Sequence, residues 1–236
     1  MAHIPLTLAG CRLEARSGGA LWWPAERLLC VADLHLGRAE RMARRGGALL
    51  PPYETRDTLT RLAAEIDACA PRCVVALGDS FDDDAAAAGL DAQESALLAG
   101  LTRRADWVWI SGNHDPAGPG GQARATLSRG PLTFRHIADP GALGEISGHW
   151  HPKLRVSLGG RGLSRPCFLA DDARIVLPAF GTYTGGLDCR RAPLAGLMRP
   201  GARAVLTGQP MLSLPLPAAG APPCAPPARH HHGDRT

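Results

Sequence analysis

Three short apolar runs in the first half of the chain each stop at a fragment built from metal-ligand side chains. Leu28-Leu29-Cys30-Val31 leads into Asp33-Leu34-His35, and Cys73-Val74-Val75-Ala76-Leu77 leads into Gly78-Asp79. Trp107-Val108-Trp109-Ile110 leads into Gly112-Asn113-His114-Asp115, and a fourth fragment, Gly148-His149-Trp150-His151, follows later. Apolar runs of this length, bounded by polar punctuation, read as buried strands. Open α/β sheets carry their sites at the carboxyl ends of strands. One fragment alone decides little, since a histidine at a strand end is usually a satisfied structural residue. In this order and at these positions, the four require a fold that gathers strand ends at one place.

The segments between the runs read as helices. Pro51 and Pro52 mark the start of a helix reaching about Cys69, with Leu59, Leu62, Ala63 and Ile66 on one face. A second helix spans Asp91 to Arg104, with Asp91 as N-cap and Glu94 three residues on. Beyond Pro116 a Gly/Pro-rich loop leads to short strands near 132–135, 145–147, 154–157, 167–170 and 175–177, with Asp171-Asp172 as a hairpin turn. A β-α-β-α-β first half followed by a mostly β second half predicts an α/β fold of two packed, mixed β-sheets flanked by helices. Residues 1–214 are read as one domain. Residues 215–236 hold six of the prolines and few large apolar side chains, and read as a disordered tail ending near His230-His231-His232.

The ligand types narrow the chemistry. Carboxylate, imidazole and amide oxygen suit divalent ions of intermediate hardness, such as Mn²⁺, Fe²⁺ or Zn²⁺. On extended backbone alternate side chains share a face, so Asp33 and His35 can hold one ion, and so can His149 and His151. Asp79 can bridge two ions, as carboxylates do in two-metal hydrolases. The seven cysteines (Cys11, Cys30, Cys69, Cys73, Cys167, Cys189, Cys224) form no C-x-x-C pair and read as free thiols, which points to the cytoplasm. No apolar run is long enough for a membrane helix, so no membrane partner is expected.

Charge is unevenly spread. Residues 1–118 carry 12 basic and 16 acidic side chains, and residues 119–236 carry 14 and 6, giving halves of −4 and +8 within a formal net charge of +4. Lys153 is the only lysine. Arginine matches phosphate in planar, bidentate geometry, so the second half permits a polyanionic partner; solvated faces are the alternative.

The four fragments together resemble the signature of the calcineurin-like metallophosphoesterases, over about residues 28–152. The resemblance implies a four-layer sandwich with two divalent ions, Mn²⁺ first among the candidates. Carried over position by position, Asp33, His35 and His151 hold one ion, Asp79 bridges, and Asn113 and His149 hold the second. The family also places a lone histidine between the third and last motifs. His136 is the candidate there, although Ile137 follows where the family has glycine. The expected mechanism is in-line attack on phosphorus by a hydroxide that bound ions would supply. In it His114 would protonate the leaving oxygen, Asp82 would orient His114, and Asp115 would support its loop.

A narrower likeness, through Leu177-Pro178-Ala179-Phe180-Gly181-Thr182-Tyr183-Thr184-Gly185-Gly186-Leu187-Asp188, is to a bacterial branch of ligase-associated DNA-damage-response endonucleases. It implies a manganese-dependent phosphodiesterase cutting nucleic acid, DNA above all, with a DNA ligase, an exonuclease and a helicase as partners. Lys153 and the arginines at 155, 161, 165, 174, 190, 191, 199 and 203 form an expected basic rim. Tyr183 or Trp150 offers a stacking surface for a base, with packing under the metal loop the alternative for Trp150. Arg38 is a candidate phosphate contact, with Arg41, Arg44 and Arg45 beside it and a solvated helix face as the alternative. Rival readings are a small-molecule phosphoesterase, a UDP-diacylglucosamine pyrophosphatase with a helical cap inside residues 116–147, and a non-catalytic scaffold.

Overall fold

The computed structural model describes residues 2–47, 50–117, 123–158 and 161–216. In the first sheet, β1 (His3–Leu8), β2 (Cys11–Arg16), β3 (Leu21–Trp23), β4 (Leu28–Val31), β5 (Cys73–Leu77) and β6 (Asp106–Ile110) lie side by side in sequence order. β1 to β4 pair antiparallel, while β4–β5 and β5–β6 are parallel. The parallel strands are apolar on both faces because both faces are covered. Leu28, Cys30, Cys73, Val75, Leu77 and Ile110 face the second sheet. Leu29, Val31, Val74, Ala76 and Trp109 face the helices.

Those helices are α1 (Arg38–Arg44), α2 (Glu54–Cys69), α3 (Asp84–Gly89) and α4 (Ala92–Thr102). Leu59, Leu62 and Ile66 of α2 enter the helix-side core on the predicted spacing. Asp91 caps α4 in a reciprocal pair with Glu94: Asp91 Oδ1 accepts from Glu94 N at 2.7 Å, and Glu94 Oε2 accepts from Asp91 N at 3.1 Å.

The second sheet holds β7 (Thr126–Arg129), β8 (Leu132–Arg135), β9 (Glu145–Ser147), β10 (Pro152–Leu158), β11 (Arg161–Ala170), β12 (Arg174–Val176), β13 (Leu187–Asp188), β14 (Arg203–Leu206) and β15 (Leu212–Pro215). It is mixed: β9 lies parallel to β8 and β12, while β10, β12 and β14 run antiparallel to β11. Leu132, Phe134, Ile146, Phe168, Ile175, Leu177 and Val205 meet the first sheet in the central core. Its other face packs with short α5 (Leu194–Leu197). The expected two mixed sheets flanked by helices are therefore observed.

β1 and β2 carry little apolar signal, because only Leu8, Leu13 and Ala15 in them are fully buried hydrophobics and Pro5 interrupts the run, while β3 is buried throughout but only three residues long. Pro5 is tolerated because β1 is an edge strand. β15 ends at Pro215, and Leu216 N donates to Ala202 O at 2.8 Å. The rest of the expected tail, with Cys224 and the histidine run, lies outside the described residues. The cysteines at 11, 30, 69, 73, 167 and 189 are free.

Candidate metal centre

The loops leaving β4 and β5 continue the parallel ladder past the strand ends. His35 N donates to Asp79 O at 2.9 Å, Leu36 N to Ser80 O at 3.0 Å, and Asp82 N to Leu36 O at 3.0 Å. This locks the first two fragments side by side. The loop after β6 joins them through Asp115, whose Oδ2 accepts from Ser80 N at 2.9 Å and Phe81 N at 3.1 Å. Burial pushes the Asp115 carboxyl up, with the Asp79 charge adding to that, to about 6. Asp115 thus supports a loop, as expected, though the loop it holds is its neighbour's.

Two glycines permit the close approach. A Cβ on Gly112 would lie 2.1 Å from Asp79 N and 2.2 Å from Asp79 Oδ1. A Cβ on Gly78, at φ +73°, would lie 2.5 Å from His136 Nδ1.

Asp33, His35 and His151 come together. His151 Nε2 lies 3.6 Å from Asp33 Oδ1 and 3.4 Å from His35 Nε2. His35 Nδ1 lies 2.8 Å from Asp82 Oδ1 on the far side of the ring, and Nε2 faces His151. Asp33 Oδ2 accepts from His149 N at 2.9 Å, tying the last fragment to the first.

Asp79, Asn113, His136 and His149 form the adjoining group. His136 Nδ1 donates to Leu77 O at 2.8 Å, so Nε2 carries the lone pair. That atom faces Asn113 Oδ1 at 2.9 Å, His149 Nδ1 at 3.1 Å and Asp79 Oδ2 at 3.4 Å. His136, though followed by Ile137, stands with Asp79 and His149.

These donors fit divalent ions. Asp33 Oδ1 is buried with no hydrogen-bond partner. Lone pairs packed as closely as those around His136 Nε2 repel unless a cation shares them. Carboxylate, imidazole and amide oxygen without thiolate match an intermediate ion. Asp33–His35–His151 and Asp79–His136–His149 can each hold one, and so by spacing can His35–Asp82–His114. In that last group the Asp82 oxygens already accept from Arg38 Nη1 at 2.9 Å and Arg41 Nη1 at 2.7 Å.

Asp82 was expected to orient His114 with its carboxylate. It does so with its main chain instead, where His114 Nδ1 lies 3.0 Å from Asp82 O. The carboxylate is fully buried and turned to His35, Arg38 and Arg41. Burial alone would raise its pKa; His35 and the two arginines pull it well below the usual range. His114 N donates to Asp79 Oδ1 at 2.9 Å, and its Nε2 stands 4.0 Å from Asp79 Oδ2.

The expected substrate contacts scatter. Arg38 spends Nη1 on Asp82. Lys153 Nζ donates to Thr184 O at 3.1 Å. Tyr183 OH donates to Tyr53 OH at 2.8 Å, an exposed pair that sequence reasoning missed because Tyr53 carries no motif. Gly181 N donates to Asp33 O at 3.1 Å, so the Tyr183 loop packs on the first fragment. Trp150 packs partly buried against the outer core, its ring 4.6 Å from that of His149. The expected rim is not continuous: Arg174 is buried, with Nη1 and Nη2 donating to the carbonyls of Asp139, Pro140 and Ala142. Arg190 pairs with Asp188 and Arg199 with Asp172.

Among solved structures, the chain is similar to the crystal structure of the Pseudomonas putida nuclease MPE. The TM-score is 0.68 and the identity 26%, over 91% of this chain and 100% of that one. The fold is one that a nuclease uses. No family model matches the chain, and no curated protein matches it. No described helix is long and apolar enough to cross a membrane.

Proposed function

We propose that the chain is a metal-dependent phosphodiesterase acting on nucleic acid, DNA in the first place, with two divalent ions, Mn²⁺ foremost. The observation that carries this reading is the convergence of two ligand groups beside His114, with the orphaned Asp33 Oδ1 among them. Likeness to a nuclease supports the substrate class. The finer resemblance, to endonucleases working beside a ligase, an exonuclease and a helicase in DNA repair, rests on the motifs given above.

In this reading Asp33, His35 and His151 would hold one ion, and Asn113, His136 and His149 the other, with Asp79 shared between them. Bound ions supply a nucleophile at neutral pH and neutralise charge on the phosphoryl oxygens. His114 donates its Nε2 proton to the leaving oxygen. The Asp82 carbonyl holds the His114 ring, and Asp115 keeps the Asp79 loop in register. Between β6 and β9 no described residue is helical, which counts against a lipid-gripping cap.

The test is Mn²⁺-dependent cleavage of covalently closed circular single-stranded DNA, with Asp79→Asn as the control. Closed circles exclude exonucleases, and the variant excludes a contaminant. Cleavage by the wild type alone supports the reading. Hydrolysis of a small phosphodiester without cleavage of circles points to the small-molecule reading. Equal behaviour of both proteins overturns the assignment of Asp79.

A further inference from the structure

Beside Asn113 and His136 lies an open, shallow cavity of about 320 Å³, lined by Ser111, Asn113, Ala125, Thr126, Arg135 and Ile137. It would leave one face of a bound group in solvent. Ile137 is 46% exposed, a large apolar side chain held open immediately after a candidate ligand. Backbone bonding fixes the opposite wall: Ser111 N donates to Arg124 O at 2.8 Å, and Arg124 N to Trp109 O at 2.9 Å. The cavity therefore lies between β6 and β8, in contact with the second ligand group.

Among the described lining residues Arg135 is the one guanidinium, and it is paired: Nη1 donates to Asp139 Oδ2 at 3.2 Å, and Nε lies 3.3 Å from buried Glu145 Oε2. With that cation neutralised, the cavity suits a flat or compact neutral group that meets apolar contacts on Ile137 and Ala125. The hydroxyls of Ser111 and Thr126 can pair with its polar edge. A phosphate held by the ligand groups would carry such a group on its ester oxygen.

We propose that this cavity is a nucleoside subsite, taking the unpaired base and sugar next to the scissile phosphate, with Ile137 as its specificity-determining wall. The proposal rests on the phosphodiesterase reading. A base paired in a duplex would first have to leave its stack to enter the cavity, at the cost of unpairing and unstacking.

The experiment compares kcat/KM for the two thymidine p-nitrophenyl phosphates, 5′ and 3′, with that for methyl p-nitrophenyl phosphate, which has no nucleoside. Wild type, Ile137→Asn, Ile137→Leu and Ala125→Trp are measured with Mn²⁺. The expected result is a nucleoside-to-methyl ratio lowered about tenfold by Ile137→Asn and Ala125→Trp and kept by Ile137→Leu, for one or both thymidine esters. An unchanged ratio in Ile137→Asn and Ala125→Trp overturns the subsite. A Mn²⁺-dependent rise in melting temperature in each variant certifies that fold and ligand groups are intact. Wild type that cleaves closed circles but turns over neither thymidine ester overturns the subsite, whereas wild type inactive on circles and esters alike sinks the phosphodiesterase reading itself, which is a separate failure.

Discussion

Asp33, His35, Asp79, His149 and His151 all take positive φ, between 45° and 71°. Outside glycine this region costs of order 1–3 kcal/mol, less for Asp and His, which tolerate it better than most residues. The same side chains proposed to hold metal therefore also end the strands, and five turned residues carry their donors on short loops. The arrangement leaves no room behind it. Gly112→Ala is expected to cost about 1–3 kcal/mol, since its Cβ would strike Asp79 N, and to remove Mn²⁺-dependent turnover. Thermal unfolding and an activity assay check this; a variant as stable and active as wild type would mean the loop can move aside. Asp82→Asn is expected to weaken metal affinity 10–100-fold by loosening His35. Calorimetric titration with Mn²⁺ reads it. Unaltered affinity with a changed acid limb in the pH–rate profile would assign the carboxylate to His114 instead. Ligand identity was legible here because a carboxylate or imidazole at a strand end carries its chemistry in one residue. The partner of Asp82 was not, since two imidazoles and two arginines compete for it in space.

At the scale of elements, α1 is held by charge more than by burial. Ala39 is its only buried residue. Its amino end is fastened to α2, where Gly37 N donates to Thr55 Oγ1 at 2.8 Å and Ala39 N to Glu54 Oε1 at 3.1 Å. Arg38 and Arg41 reach Asp82, and Arg44 reaches Asp83 at 3.0 Å, with Arg45 at 3.6 Å. For both aspartates burial pushes the pKa up, but hydrogen bonds and neighbouring arginines outweigh it and leave the folded value below 3.8. A depressed carboxyl stabilises the fold above its unfolded pKa and loses that contribution as pH falls through the folded one. Hydrogen exchange over residues 38–45 is therefore expected to lose protection below about pH 4, before β4 to β6 do, and to lose it sooner in high salt. Protection that tracks the strands at every pH would put the docking on apolar contacts. β4, β5, β6, α2 and α4 were legible because runs and 3.6-residue spacing are local signals. α1 was not, because an arginine-rich heptamer with one buried alanine shows no apolar stripe.

For the whole molecule, the ligand groups join loops from both sheets: Asp33, His35, Asp79 and Asn113 follow strands of the first, while His136, His149 and His151 come from the second. An ion bound there ties the sheets together and binds the folded state alone. At a hundred times its Kd, Mn²⁺ is expected to add about 2.7 kcal/mol, or roughly 5–11 °C in melting temperature for a chain of this size. Scanning calorimetry with and without a chelator reads this shift, and Asp79→Asn should lose most of it. The same melting temperature in metal and chelator would place the groups outside metal binding. Among the described residues the basic excess of the second half is interrupted, because Arg174 is buried and Arg190 and Arg199 sit against aspartates.

The sequence alone determined the strands that end in candidate ligands, the order in which those ligands occur, and the 3.6-residue spacing that buries one face of α2. Each is set by neighbours within a few residues, so it survives without knowledge of the fold. Tertiary structure decided which atoms meet: His136 turned by Leu77 O toward Asp79, Asp82 facing His35 instead of His114, and Ile137 opening a cavity beside the ligands. Those choices depend on how closely separate elements approach, and a charged or apolar side chain pairs with whatever the packing brings within reach.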